Sequence, residues 1–281
     1  LNDQLIKEIM SEVLKKIEKP IGKIETPIKQ VVVNKENEKY NKQSLVENQS
    51  NKQFCLTEFV DTAIGDTIGL VIANLDHSLH EMMNIDKKYK SIGIIGARTG
   101  AGAQIMSADE AVKATNAEVI SVELARDTKG GAGHGILILF GAEDVSDVRQ
   151  AVEITLNDLN RTFGDLYINE GGHLEFQYTA RASYACNKAF KAPIGKAFGI
   201  IVGAPAAIGL LLADTAMKSA NVEIIEYWSP AHKTSHSNEC VTTISGDAEA
   251  VKQAILVARE VGLKLLSMMG GTPISQTTPY I

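Results

Sequence analysis

The chain has 281 residues, 44% hydrophobic and only 5% aromatic, with a formal net charge of −6. That balance excludes a sequence-independent nucleic-acid binder, which needs a basic face to displace counterions. Three scattered cysteines, Cys55, Cys186 and Cys240, exclude a disulfide framework and point to a reducing compartment; no secretory leader is visible.

Residues 1–19 predict an amphipathic helix. Leu5, Ile6, Ile9, Met10, Val13, Leu14 and Ile17 form one stripe, and Pro20 ends it. Residues 34–53 are dominated by Asn, Lys, Gln and Glu and lack the apolar content to fold alone. A sticky helix on a flexible linker suits tethering: it either packs on its own domain or docks on another protein. The first folded region is expected over 54–165. It carries strands near 67–74, 91–97, 118–124 and 136–140, with helices near 78–83, 103–115 and 146–159. A second region over 166–271 has the same plan. Its strands fall near 174–179, 198–203, 223–228 and 240–245, and its helices near 183–190, 210–220 and 248–266. Residues 272–281 read as an extended tail. The uncharged run 197–213 is short for a membrane span and is broken by Gly199, Gly203, Pro205 and Gly209, so it reads as strand, turn and buried helix.

One phrase occurs twice. DEAVKATNAEVI (109–120) and DTAMKSANVEII (214–225) share Asp, Ala, Lys, Asn, Glu and Ile in register. DVRQAV (147–152) and AVKQAI (250–255) match two residues out of step. This is a duplicated domain, not a short-period solenoid. Strands alternating with helices in each copy give an α/β fold, with helices packed on a sheet. The pairs Asp109/Lys113 and Asp214/Lys218 have the favoured i, i+4 order, worth about 0.3 kcal/mol. So small a gain is a weak reason for the repetition, and an intermolecular contact is a better one.

Other motifs compete. The loop GARTGAG (96–102) lies between a strand and a helix, where a phosphate could sit, but it fits neither a Walker A loop nor G-x-G-x-x-G. His232, His236 and Cys240 have a spacing that could collect zinc on a helix. Ser229-Pro230 before them and the strand-like CVTTIS after them argue against that helix. No catalytic set is found, and neither a metal nor a cofactor is expected.

The phrase D-x-A-x-K-S-A-N at 214–221, followed by strand, small polar loop, strand and the helix AVKQAI, resembles the bacterial microcompartment (BMC) shell domain. Two copies in one chain are similar to the tandem-domain, trimer-forming shell proteins. TAIGDTIGLVIAN, GARTGAGAQIMSADEAVKATNAEVIS, RDTKGGAGHG, RTFGDLY, QYTARASYA and SPAHKTSHSNE look like the propanediol- and ethanol-utilisation types. The resemblance covers residues 56–281 and is looser before them. It implies two tandem circularly permuted BMC domains and a homotrimer that imitates a hexamer. It implies a structural, non-enzymatic role in the shell of a cytoplasmic microcompartment, beside other shell proteins and with no membrane or nucleic-acid partner.

Two loops match the family's pore loops: Lys129, Gly130, Gly131, Ala132, Gly133 and His134 in the first copy; His232, Lys233, Thr234, Ser235, His236, Ser237, Asn238 and Glu239 in the second. They would pass small polar metabolites such as diols, alcohols and aldehydes. Asp109, Lys113, Asn116, Asp214, Lys218 and Asn221 would lie at the tile edge, and the N-terminal helix would hold encapsulated enzymes. The alternatives are a redox- or metal-carrying shell protein using the His232–His236–Cys240 group, and a nucleotide-binding enzyme using loop 96–102.

Overall fold

A computed structural model describes residues 56–125, 134–233 and 237–281. The expected helix and linker over 1–53, Lys129 to Gly133 of the first loop, and Thr234, Ser235 and His236 of the second lie outside the described residues.

The first repeat runs β1 (Phe59–Ala63), β2 (Thr67–Ile72), α1 (His77–Met82), β3 (Ser91–Ala97), α2 (Gly102–Ala114), β4 (Glu118–Ala125), β5 (Gly135–Ala142) and α3 (Val145–Thr162). The second runs β6 (Leu166–Asn169), β7 (Gly172–Thr179), α4 (Tyr184–Phe190), β8 (Ala197–Ala204), α5 (Ala206–Ser219), β9 (Val222–Trp228), β10 (Cys240–Gly246) and α6 (Ala248–Gly270). The order β-β-α-β-α-β-β-α is thus spoken twice. The sheets have matching strand orders, β1-β2-β3-β5-β4 and β6-β7-β8-β10-β9, with the short β11 (Ile274–Ser275) added beside β6. All of these pairs are antiparallel.

Local causes are the same in both copies. The stripe Val148, Ala151, Val152, Thr155, Leu156 and Leu159 buries one face of α3, and Val251, Ala254, Ile255 and Ala258 do so on α6, at the i, i+3, i+4 spacing of a helix packed on a sheet. A glycine on each central strand lets that helix approach. A Cβ on Gly93 would meet Val148 and Val152, and one on Gly199 would meet Ile255 and Val251. The strands β4 and β9 each carry one unpaired extra residue, Ile120 and Ile225, a bulge that sharpens the local twist. Matched positions are Gly93 with Gly199, Asp109 with Asp214, Phe140 with Ile244, and Val148 with Val251. The separation shrinks by one residue at each step, so the mismatch expected from one small deletion is spread over several connections.

The repeats share part of their core. One cluster joins Ile95, Met106, Ile138, Phe140 and Val152 of the first repeat to Cys186, Phe190, Phe198, Ile200, Val202 and Val241 of the second. A second cluster lies between the second sheet and its helices, around Phe176, Ile201, Leu212, Ile244 and Ile255. A third and smaller one, Leu75, Ile85, Ile92 and Leu139, lies on the far face of the first sheet. Residues 272–281 are docked along the second repeat, beyond what an extended tail implies. Tyr280 donates its hydroxyl to Gln177 at 3.0 Å, and the Tyr280 and Ile281 N–H groups reach Asp165 at 2.9 and 3.0 Å. Arg259 and the Tyr167 hydroxyl complete the partners of that buried carboxylate.

Candidate functional site

The β4–β5 and β9–β10 connections leave equivalent ends of the two sheets, and their described roots meet. Glu239, just before β10, is buried between two histidines. His134 Nδ1, at the end of the first loop, lies 2.8 Å from Glu239 Oε1. His173 Nε2, at the start of β7, lies 3.2 Å from Oε2. The other ring nitrogen of His134, Nε2, lies 3.0 Å from the Ser237 hydroxyl. Burial alone would raise the Glu239 carboxyl; hydrogen bonds from His134 and His173 outweigh it and hold the group at about 2. An anion among donors therefore fastens the first repeat's loop to the second repeat's loop and sheet.

Asn238 accepts the Ala206 N–H at 3.2 Å, which ties the same loop to the start of α5. At the loop's other root, Lys191 and Lys233 both pair with Glu226 and hold its carboxyl at about 2. Lys233 also stands over the Trp228 ring, 5.7 Å from its centre. His232 closes a turn with Ser229 through two backbone hydrogen bonds of 2.8 Å. Of the expected pore residues, His134, Ser237 and Glu239 are thus brought together, Asn238 is fixed beside them, and His232 and Lys233 sit at the opposite root. Cys240 is buried on β10 with its Sγ 3.3 Å from the Tyr227 hydroxyl, while His232 lies in the turn before the strand. Among the described residues, no group of His, Cys, Asp and Glu could hold a metal ion.

Sequence reasoning missed His173 and Glu175. Glu175 is fully buried on β7 and points across the junction at the start of α2. Burial pushes its carboxyl up, against hydrogen bonds from the Gln177 side chain and the Ala103 N–H. A Cβ on Gly102 would lie 2.5 Å from its Oε1. Loop 96–102 is shaped by Gly100 at φ +87° and by Gln104, whose side chain accepts the Ala101 N–H at 2.8 Å. The helix N-terminus at which a phosphate could have sat is already filled by a carboxylate of the second repeat. That removes the physical basis of the nucleotide alternative. The only available signal was a charged residue inside the apolar run LEFQYT. Glu175, Glu239 and His134 line a cavity of about 20 Å³ between the repeats, walled by Phe190, Ile200 and Trp228. It has room for about one water molecule.

The repeated phrase has two environments. Asp109 is fully buried; its oxygens accept the Ser183 N–H at 2.9 and 3.0 Å and the Cys186 N–H at 3.0 Å, capping α4 of the other repeat. Lys113 stands above it, 3.0 Å from Asp109 and 2.7 Å from Glu110. Asn116 donates to Asp147 at 3.4 Å. Asp214 and Lys218 pair at 2.7 Å with both side chains exposed, and Asn221 is on the surface before β9. Among the described residues, no helix is long and apolar enough to cross a membrane.

The BMC domain family matches residues 91–170 and again 197–276. The bacterial microcompartment shell protein PduB of Citrobacter freundii is 55% identical over 280 residues, covering 100% of this chain and 99% of that protein. Its counterpart in Salmonella typhimurium is 56% identical over 281 residues, with the same coverage. Among solved structures, a trimeric microcompartment shell protein PduB superposes with a TM-score of 0.78 at 51% identity, over 80% of this chain and 100% of the other. EtuB from Clostridium kluyveri gives 0.78 at 55% identity, over 80% and 99%. From the doubled α/β unit and its full-length likeness to these proteins, the chain belongs to the BMC-domain family, as a tandem-domain shell protein of a bacterial microcompartment.

Proposed function

We propose that three copies close into a six-lobed tile whose central opening, lined by loops 129–134 and 232–239, passes small polar metabolites such as diols, alcohols and aldehydes. The observation that carries this reading is the fastening of the two loops at Glu239. Two loops of one chain are held side by side, and a three-fold ring repeats that pair around its axis. Polar and glycine-rich loops offer hydrogen-bond partners to water and diols while disfavouring apolar solutes. The chain divides into a tether (1–53), a first BMC domain (54–165), a second (166–271) and a C-terminal strap (272–281). Lys113, Asn116, Lys218 and Asn221 face neighbouring tiles. Residues 1–53 hold encapsulated enzymes.

The test is solution mass by light scattering with negative-stain imaging of the same sample. A mass of three chains and flat hexagonal particles or sheets is expected; a monomer without sheets would end the tile reading. Deleting residues 1–53 should keep the trimer and lose enzyme attachment in a co-sedimentation assay. An intact cargo load in that deletion would remove the tether.

A further inference from the structure

A cleft of about 690 Å³ lies between the repeats, away from the loop roots, bordered by α2, α3, the end of β7, α6 and the C-terminal strap. Its walls include Ile154 and Tyr280. Four cations line it, Lys113, Arg161, Arg181 and Lys252, against two acids, Glu110 and Asp158. In a chain whose net charge is −6, this is a local reversal of sign.

Both acids are already engaged. Glu110 pairs with Lys113 at 2.7 Å, and Lys113 is also 3.0 Å from Asp109. Asp158 accepts from Nε and Nη2 of Arg161 at 2.7 and 2.6 Å. That two-pronged contact fixes the guanidinium plane, and its central carbon stands 4.7 Å from the centre of the Tyr280 ring. Arg161 is thus held in place with Nη1 to spare. The Arg181 and Lys252 side chains make neither an ion pair nor a hydrogen bond among the described residues. The Ile281 oxygen at the end of the strap is taken by Arg259 at 2.9 Å.

The duplication supplies a control. The pairing of β2 with β3 and of β7 with β8 matches Arg181 to Asn74, which is uncharged. The match of Val148 with Val251 places Lys264 where Arg161 stands and Arg149 where Lys252 stands. Lys264 is paired with Glu260 at 2.6 Å, and Arg149 donates to the Thr57 carbonyl at 2.6 Å. The gathering of unengaged cations therefore belongs to the junction inside the chain and is not a by-product of the repeat.

From this we infer that the cleft is a binding site for a phosphate-type dianion, free or carried on a small organic body. Arg181, Lys252 and the spare Nη1 of Arg161 would meet the oxygens, because two cations and a fixed guanidinium edge suit a doubly charged oxyanion better than a monoanion. The apolar wall at Ile154 and Tyr280 would cover an organic body. All of these residues come from one chain, so the site goes beyond the tile reading and does not depend on the trimer.

Calorimetric titration of the full chain with phenyl phosphate, and separately with inorganic phosphate, at constant ionic strength tests the site. One saturable site per chain is expected, with a Kd of about 1 mM or below. Tighter binding of phenyl phosphate would mark a phosphate ester as the ligand, and equal binding would mark free phosphate. Arg181→Ala with Lys252→Ala should weaken binding by about tenfold or more, with the urea midpoint of the parent. If that midpoint falls, Arg181→Gln alone, at an exposed position, gives the same comparison. Lys218→Ala, outside the cleft, should bind as the parent does. No saturable heat with either probe, parent-like affinity in the cleft variants, or equal weakening by Lys218→Ala overturns the site. The solution mass of the same sample reports on the trimer separately: a monomer that binds phosphate ends the tile reading and keeps the site.

Discussion

The two copies of the repeated phrase share their letters and divide the labour. In the first, Asp109 is a buried structural cap and Lys113 is drawn over it. In the second, Asp214 and Lys218 form an exposed i, i+4 pair of the kind worth a few tenths of a kcal/mol. The difference is not one of fold, since both helices begin at matched positions and pack on matched sheets. It comes from what lies beyond the helix: another repeat of the same chain in one case, solvent or a neighbouring molecule in the other. A repeated residue therefore reports a repeated place in the fold, and the cost of removing it depends on whether another repeat of the same chain covers that place.

The largest expected effect is on the internal side. Asp109→Ala orphans the Ser183 and Cys186 N–H groups and leaves Lys113 without its buried partner. It should lower stability by about 4 kcal/mol in urea unfolding. A loss under 1 kcal/mol would mean that the cap is replaceable and that the two copies are energetically alike.

The next effect sharpens the contrast at the loops. Glu239 is held at about 2, below its ordinary 4.5. Its contribution is complete above pH 4.5 and is lost as the pH falls through 2, and by linkage it amounts to about 3 kcal/mol. Glu239→Gln should therefore lose that stability at neutral pH and show a flatter decline between pH 4.5 and 2. Parallel pH profiles for parent and variant would show that the carboxylate does not fasten the repeats.

The smallest effect is Asp214→Ala. It should change chain stability by no more than about 0.5 kcal/mol, since both partners of the pair are exposed. A loss matching that of Asp109→Ala would erase the distinction between the copies.

The central strands β3 and β8 were legible because SIGIIGA and FGIIVG are continuous apolar runs, and α3 and α6 because their stripes have the helical period. The short strands β1, β6 and β11 escaped because FVDTA, LYIN and IS are too short to establish an alternation; their pairing partners define them. Helix α5 begins at Ala206, earlier than the start near 210 expected from a run broken by Gly199, Gly203, Pro205 and Gly209. Gly209 is tolerated there because a Cβ would strike Cys240 and the Gly203 carbonyl, so close packing favours it. The loops were legible as polar and glycine-rich. Their fastening was not, because His173 and Glu175 gain their partners only when one repeat is laid against the other. Asp109 was legible as half of a helix pair, but its bonds to Ser183 and Cys186 cross a distance in sequence that no local pattern spans.

The core shared between the repeats has a consequence during synthesis. The first repeat leaves the ribosome with Ile105, Met106 and the start of α2 uncovered, because the side chains that seal them, from Cys186 to Val241, are not yet made. A nascent chain halted between the repeats would present that apolar face to chaperones and to other nascent chains. Neither repeat by itself buries the apolar face that the two share.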